Sequence, residues 1–354
     1  MSSKAEALRG IMEPNSIHSD LPKVDTFLRS LFSSHTSPLY RLMEYQLGWR
    51  DERGAPLEEP LRHARLHAGL CLLAAQAAGG DALRAVPAAA AVELLYQFTQ
   101  VHVDIQEGVQ ERHGRPTVWW VWGPAQAINA GDGFHALGRL ALMLGDSQGM
   151  PPAGSLKALQ ALDTACLRML EGLHQEMVYQ ERLDITPGDY VDMCRAKVGA
   201  LLGCACEVGA ATGASSSKNT EECFRRFGEN LGTAFQLQED IQMLWGQPFS
   251  GKAQGLDALN KKKGFPVIYT LAHGTTALKR ELGALFFKRV LEAPDLERVV
   301  AILDCMDARA SAQATAQHLF DEAVGCLDGA ELTPQGRAGL AGVARWLALR
   351  EQTS

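Results

Sequence analysis

Gln100-Val101-His102-Val103-Asp104-Ile105-Gln106-Glu107 and Phe235-Gln236-Leu237-Gln238-Glu239-Asp240-Ile241-Gln242 decide how this chain is read. Each lies inside an otherwise apolar helical stretch, where a carboxylate without a partner is costly. Asp104 and Glu107, spaced i,i+3, share one helix face, and Glu239-Asp240 supplies a second acidic cluster much further along. Carboxylates projecting inward from different helices are how an all-helical bundle builds a metal site. Oxygen ligands with no Cys or His cluster beside them favour Mg²⁺ over zinc. For either segment taken alone, the alternative is a polar helix face turned to solvent.

Working outward, the 354 residues have room for one large domain or two ordinary ones, and an apolar fraction of 46% supplies a substantial core. Glycines and prolines cluster between long apolar periodic runs, and alternating β-branched stretches are scarce, so an all-α protein is expected. No internal repeat or composition shift divides it. The expectation is a flexible segment over 1–20 and a single helical domain over 21–354. A net charge of −7 without a basic block excludes a nucleic-acid partner. The eight cysteines are dispersed, none at zinc-finger spacing, which reads as reduced thiols. The polar start has no signal-peptide core, and the longest apolar runs fall short of the roughly 20 residues that span a bilayer. A soluble, cytoplasmic protein without a transmembrane segment is expected.

The periodicity predicts helices near 23–46, 60–78 and from Pro87 through Glu107, then a loop over 108–117 carrying Arg112, His113 and Arg115. Further helices are expected over 124–144, 155–183, 187–211 and 220–245. The stretch 246–264 has too many glycines and lysines for a stable helix, and 265–351 reads as three or four shorter helices.

Basic residues complete the chemistry. Arg112 follows the first acidic cluster, Lys197 lies mid-helix, and Lys252, Lys261, Lys262 and Lys263 follow the second cluster. A cavity with carboxylates on two walls and cations at its rim suits a diphosphate: the metal bridges phosphate oxygens and Lys and Arg take the remaining charge. The lysine run alone reads as a solvated loop.

With these residues in view, the chain resembles the trans-isoprenyl diphosphate synthase (polyprenyl synthetase) family. The matching blocks are Glu93-Leu94-Leu95 leading into His102 to Glu107, then Arg112 to Thr117, and Gly131-Asp132. Phe235-Gln236 ahead of Glu239-Asp240 matches too, as does Gly251 to Asp257 running on to Lys262-Lys263 and Pro266. The resemblance implies a single bundle of long antiparallel helices around a deep central cavity, the isoprenoid synthase fold, and homodimers are common in it. It further implies Mg²⁺ held by Asp104, Glu107 and Glu239, with Asp240 in the same catalytic cluster. Arg112, Lys197, Lys252 and Lys262 would bind the allylic diphosphate, with Gln236 an outer partner of the acids. Tyr96 and Phe98 would line the cavity and limit the prenyl chain to about C15–C20.

The departures shape the functional expectation. The family's first aspartate-rich motif, DDxxD, reads Val103-Asp104-Ile105-Gln106-Glu107, so its first carboxylate is a valine. The Gly-Gly-Lys-Arg-x-Arg-Pro signature of the isopentenyl diphosphate site falls on Arg62-His63-Ala64-Arg65-Leu66-His67-Ala68, retaining Arg65 alone among its cations. The second arginine after the first motif is His113, and a histidine ahead of that motif is Tyr96. An ionised allylic cation with no anchored partner attacks its own double bonds, loses a proton or captures water. A terpene synthase-like lyase or cyclase acting on one prenyl diphosphate is therefore expected. Two alternatives stay open. One is a chain-elongating prenyltransferase with an altered isopentenyl site, in which His67 and His113 bind phosphate as imidazolium. The other is a non-catalytic isoprenoid-binding or regulatory subunit.

Overall fold

The computed structural model describes residues 20–58, 65–145, 149–213 and 217–349. The segment expected to be flexible, apart from Asp20, and the Arg62-His63-Ala64 step lie outside them. Among the described residues the fold is all-α, with one two-stranded hairpin as its only sheet.

Two helices, α1 (Leu21–Phe32) and α2 (Pro38–Gln46), stand where one was expected. Pro38 has no N–H to continue a helix and suits its first turn, so the Ser-rich 33–37 step becomes a break. Helix α3 (Leu66–Ala77) leads through a short turn into α4 (Ala82–Gln106). Helix α4 starts five residues earlier than Pro87, because Asp81 caps it by accepting from the Leu83 N–H at 2.9 Å. Pro87 is tolerated inside its early turns. Its alanine run, Ala88 to Ala91, is wholly buried, which marks α4 as a central helix enclosed on all sides.

The segment after α4 forms the hairpin β1 (Glu111–Arg112) and β2 (Arg115–Pro116), followed by α5 (Val118–Trp122), α6 (Pro124–Met143) and α7 (Pro152–Tyr179). Helix α8 (Pro187–Cys194) opens on a Thr186/Asp189 capping box and passes through a π-helical turn (Arg195–Gly199) into α9 (Ala200–Ala210). The long α10 (Lys218–Trp245) is capped by the Ser217 hydroxyl, which accepts from the Thr220 N–H at 3.1 Å. A single turn, α11 (Leu256–Leu259), interrupts the glycine- and lysine-rich stretch. Where three or four helices were expected there are five among the described residues: α12 (Phe265–His273), α13 (Thr276–Phe286), α14 (Ala293–Cys305), α15 (Ala308–Cys326) and α16 (Pro334–Leu349).

The main packing partners run in sequence from α6 to α4, α3, α9, α10 and α15, with α7 closing against α9 and the π turn. One contiguous apolar core joins residues from Leu21 to Leu347, and a smaller cluster lies under α12 to α14. The α9–α10 seam is close enough that a Cβ on Gly228 would sit 2.3 Å from the Leu202 carbonyl oxygen. This closeness fixes the height of α10, and with it the placement of Glu239 and Asp240.

Candidate active site

The end of α4 forms one wall of the site. Asp104 is 2% exposed, and Glu107 follows one turn later on the same face. The hairpin folds the chain back so that Arg112 Nε donates to Asp104 Oδ1 at 2.6 Å while its Nη1 donates to the Ser250 carbonyl at 2.9 Å. The hairpin is itself anchored. Tyr45 Oη donates to the Pro116 carbonyl at 2.6 Å, and the Arg115 guanidinium lies 3.5 Å over the Tyr45 ring. Val103, the departure in the first motif, is buried among apolar neighbours.

Helix α10 supplies the other wall. Glu239 accepts the Phe249 and Ser250 backbone N–H groups at 2.7 and 3.1 Å, which draws the 246–255 loop over the site. Asp240 is satisfied differently: it accepts from Tyr190 Oη at 2.6 Å, Gln236 Nε2 at 2.8 Å and the Phe265 N–H at 2.9 Å. Gln236 is thus a partner of Asp240, and Asp240 ties α8, α10 and α12 together.

Between the walls runs an alternating line of charges. Lys252 Nζ bridges Asp257 (3.0 Å) and Glu107 (2.5 Å); Lys262 Nζ bridges Glu107 (2.6 Å) and Glu176 (3.1 Å); Lys197 Nζ ends the line on Glu176 (2.7 Å). Three carboxylates and three ammoniums balance. The structure therefore brings together Asp104, Glu107, Arg112, Lys197, Lys252 and Lys262 from distant parts of the chain.

Two participants escape sequence reasoning. Asp257 lies within a recognised block but carries no distinguishing spacing. Glu176 had a signal: on α7 it continues the buried stripe of Met169, Gly172 and Leu173, so it is a carboxylate at a core-facing register. The lysine run divides into three roles. Lys262 enters the site, Lys261 takes φ 64° at the turn, and Lys263 caps α7 by donating to the Tyr179 and Gln180 carbonyls.

The electrostatics follow from burial. Burial pushes the Asp104 carboxyl up to about 6 against the opposing pull of Arg112. Asp240 also rises to about 6 through burial, with the Phe265 N–H, Tyr190 and Gln236 working against it. Burial acts to raise Glu107 as well, but Lys262, Lys252 and Lys197 outweigh it and hold that carboxyl well below the usual range.

The positions that the resemblance aligns with a second-substrate site look different. Arg65 is buried at φ 41° and committed to Asp25 (2.8 Å) and Glu93 (3.4 Å). His67 stacks on Tyr96 at 4.3 Å between ring centroids, and burial lowers it to about 3. It is therefore neutral near pH 7, which argues against the alternative in which this ring binds phosphate as imidazolium. His113 is exposed at the hairpin, its backbone N–H donating to the Gly251 carbonyl at 3.0 Å. Phe98 packs against the His102 and His135 rings as part of the core.

The donors on the two walls are all carboxylate oxygens, the set that suits Mg²⁺. Asp104, buried and titrating high, is a carboxyl that a neighbouring cation would hold ionised. By donor chemistry the residues fit the ion. In the arrangement observed, no three acidic, His or Cys side chains among the described residues converge on one point. A cavity of 640 Å³ lies between α10, α15 and the π turn, and one of 300 Å³ between α7 and α9; the acidic walls line neither.

Comparison with known proteins sets this geometry in context. Residues 62–303 match the family described as polyprenyl synthetase. The chain is 34% identical over 280 residues to a (2E,6E)-farnesyl diphosphate synthase of Mycobacterium tuberculosis, covering 78% of this chain and 76% of that one. It is also 34% identical over 311 residues to a geranylgeranyl diphosphate synthase of the same organism, covering 87% and 86%. Among solved structures, a polyprenyl synthetase from Streptomyces coelicolor superposes with a TM-score of 0.82 at 28% identity, covering 92% of this chain and 98% of that one. The two Mycobacterium relatives are named as synthases of prenyl diphosphates. They overturn the expectation of terpene synthase-like cyclisation, which rested on weighing lost cations more heavily than the whole retained scaffold. Among the described residues no helix is long and apolar enough to cross a membrane.

Proposed function

The chain belongs to the polyprenyl synthetase family, and on that premise we propose that it is a chain-elongating prenyltransferase, joining an allylic prenyl diphosphate to isopentenyl diphosphate. The observation that carries this reading is the meeting of Arg112, Lys197 and Lys262 with Asp104 and Glu107 at the end of α4 and Glu176 on α7, in a chain about one-third identical to farnesyl and geranylgeranyl diphosphate synthases.

Arg112, Lys197 and Lys262, with Lys252 beside them, take the oxygens of the allylic diphosphate. Mg²⁺, for which Asp104, Glu107 and Glu239 would each offer carboxylate oxygens, would supply the further positive charge that makes the diphosphate a good leaving group. It is needed because the charge line is already neutral, while a bound diphosphate adds about three negative charges. Glu239, by holding the Phe249 and Ser250 amides, keeps the 246–255 loop closed and water out. The isopentenyl diphosphate meets fewer fixed cations, since Arg65 is committed to Glu93 and His67 is neutral. A raised KM for that substrate is expected, with kcat less affected.

The same reading includes a homodimer. Leu140, Met143, Leu156, Leu167, Leu170 and Met177 of α6 and α7 are exposed, an apolar face that a second copy would cover.

The test is incubation of purified protein with Mg²⁺ and geranyl or farnesyl diphosphate, with and without isopentenyl diphosphate, followed by product analysis. A longer prenyl diphosphate formed only with isopentenyl diphosphate is the expected result. A hydrocarbon or alcohol formed without it would defeat the reading.

A further inference from the structure

Helix α7 touches the charge line at two points one helical turn apart. Glu176 Oε1 accepts Lys197 at 2.7 Å and its Oε2 accepts Lys262 at 3.1 Å. Four residues earlier, Gly172 lies against the π turn: a Cβ there would sit 2.5 Å from the Lys197 backbone nitrogen and 2.8 Å from its Cα. These are backbone atoms, which cannot step aside as a side-chain end can. The π turn matters because an α-helix advances about 100° per residue, so one residue accommodated in a wider turn re-aims the side chains beside it. Lys197 sits in the middle of that turn.

Resting on the reading that this cluster binds an allylic diphosphate, we infer that Glu176 and Gly172 are positioning residues: Gly172 seats the π turn, and Glu176 holds Lys197 and Lys262 side by side as a two-ammonium diphosphate receptor. Neither residue need touch the substrate. Two ammoniums brought together without a carboxylate between them repel, and each long side chain is otherwise free to swing into water. A carboxylate with one oxygen on each amine removes both difficulties, and it leaves donor N–H groups on both amines.

The opposite view is that Glu176 competes with the diphosphate for these lysines, and it predicts the opposite sign. Inorganic pyrophosphate with Mg²⁺, titrated calorimetrically into the full-length protein, separates the two without relying on turnover. Glu176→Gln is expected to weaken pyrophosphate binding by about tenfold or more. In steady-state assays it should raise the KM for the allylic diphosphate and leave the KM for isopentenyl diphosphate unchanged. Glu176→Asp, which keeps the charge, should recover most of the affinity, and Glu176→Ala, expected to show the same loss, stands in if Glu176→Gln does not fold. Gly172→Ala should reproduce the loss while leaving Glu176 in place. Unchanged or tighter pyrophosphate binding in folded Glu176→Gln, or a wild-type protein that binds no pyrophosphate, overturns the inference. Pyrophosphate binding that responds as expected in a protein that elongates nothing would defeat the functional reading alone.

Discussion

Arg112 Nε and Asp104 Oδ1 stand 2.6 Å apart, an ion pair closed by the hairpin that follows α4. It joins the less exposed of the two carboxyls on the first acidic wall to a cation that also grips the 246–255 loop through the Ser250 carbonyl. Arg112→Gln leaves Asp104 without its charge partner in a site that excludes water. The expected result is a fall of about a hundredfold in kcat/KM for the allylic diphosphate, together with a destabilisation of about 3 kcal/mol. Steady-state prenyl transfer and urea unfolding measure the two effects, and a variant within twofold of wild type would show that the pair is dispensable.

Val103 occupies the position where the family's first motif carries a carboxylate, beside Asp104 on α4. Val103→Asp adds a third carboxylate to the wall that carries Asp104 and Glu107. It should lower the Mg²⁺ concentration for half-maximal activity by about tenfold, at some cost in stability from burying another charge. Activity measured across a Mg²⁺ titration checks this. An unchanged requirement would place the metal away from this wall.

His67 is lowered by burial from 6.5 to about 3. Above pH about 6.5 folded and unfolded chains both hold it neutral, and it contributes no pH dependence. As the pH falls below that, the unfolded chain takes up a proton that the folded chain refuses, so stability is lost progressively toward pH 3. Between pH 6.5 and 5 this contribution is about 2 kcal/mol. His67→Gln should remove that share of the acid sensitivity, read by comparing urea unfolding of both proteins at the two pH values. Equal acid sensitivity would mean that the ring is protonated in the fold.

Leu167 and Leu170 lie exposed on one face of α7, a helix that packs on α6 with its exposed Leu140 and Met143. Replacing both with Asp should convert the expected dimer to a monomer in sedimentation velocity, because charges at a covered apolar contact oppose its burial. A wild-type monomer, or a dimer that survives both substitutions, would place the association face elsewhere.

How much of this was legible beforehand differs from residue to residue. Asp104 and Glu107 announced themselves by interrupting an apolar helix at i,i+3 spacing, and Arg112, Lys197 and Lys262 by their position relative to matched blocks. Glu176 was readable only by extending the buried stripe of α7 to one more turn. Gln236, read from the Phe-Gln step as an outer partner of the acids, donates its amide to Asp240. The break at Pro38 and the early start of α4 turned on capping chemistry at single residues, which periodicity averages away.

By itself the sequence determined the all-helical class, the two acidic walls and the family, because periodicity and motif spacing are local properties carried along the chain. It did not determine which acid meets which base. Glu107, Glu176 and Lys197 come from α4, α7 and the π turn, and Lys252, Asp257 and Lys262 from the stretch after α10; their order in space follows from how these four parts of the chain pack. The neutrality of His67 has the same origin: the pKa of a side chain is set by the solvent it loses, and only the tertiary structure decides how much it loses.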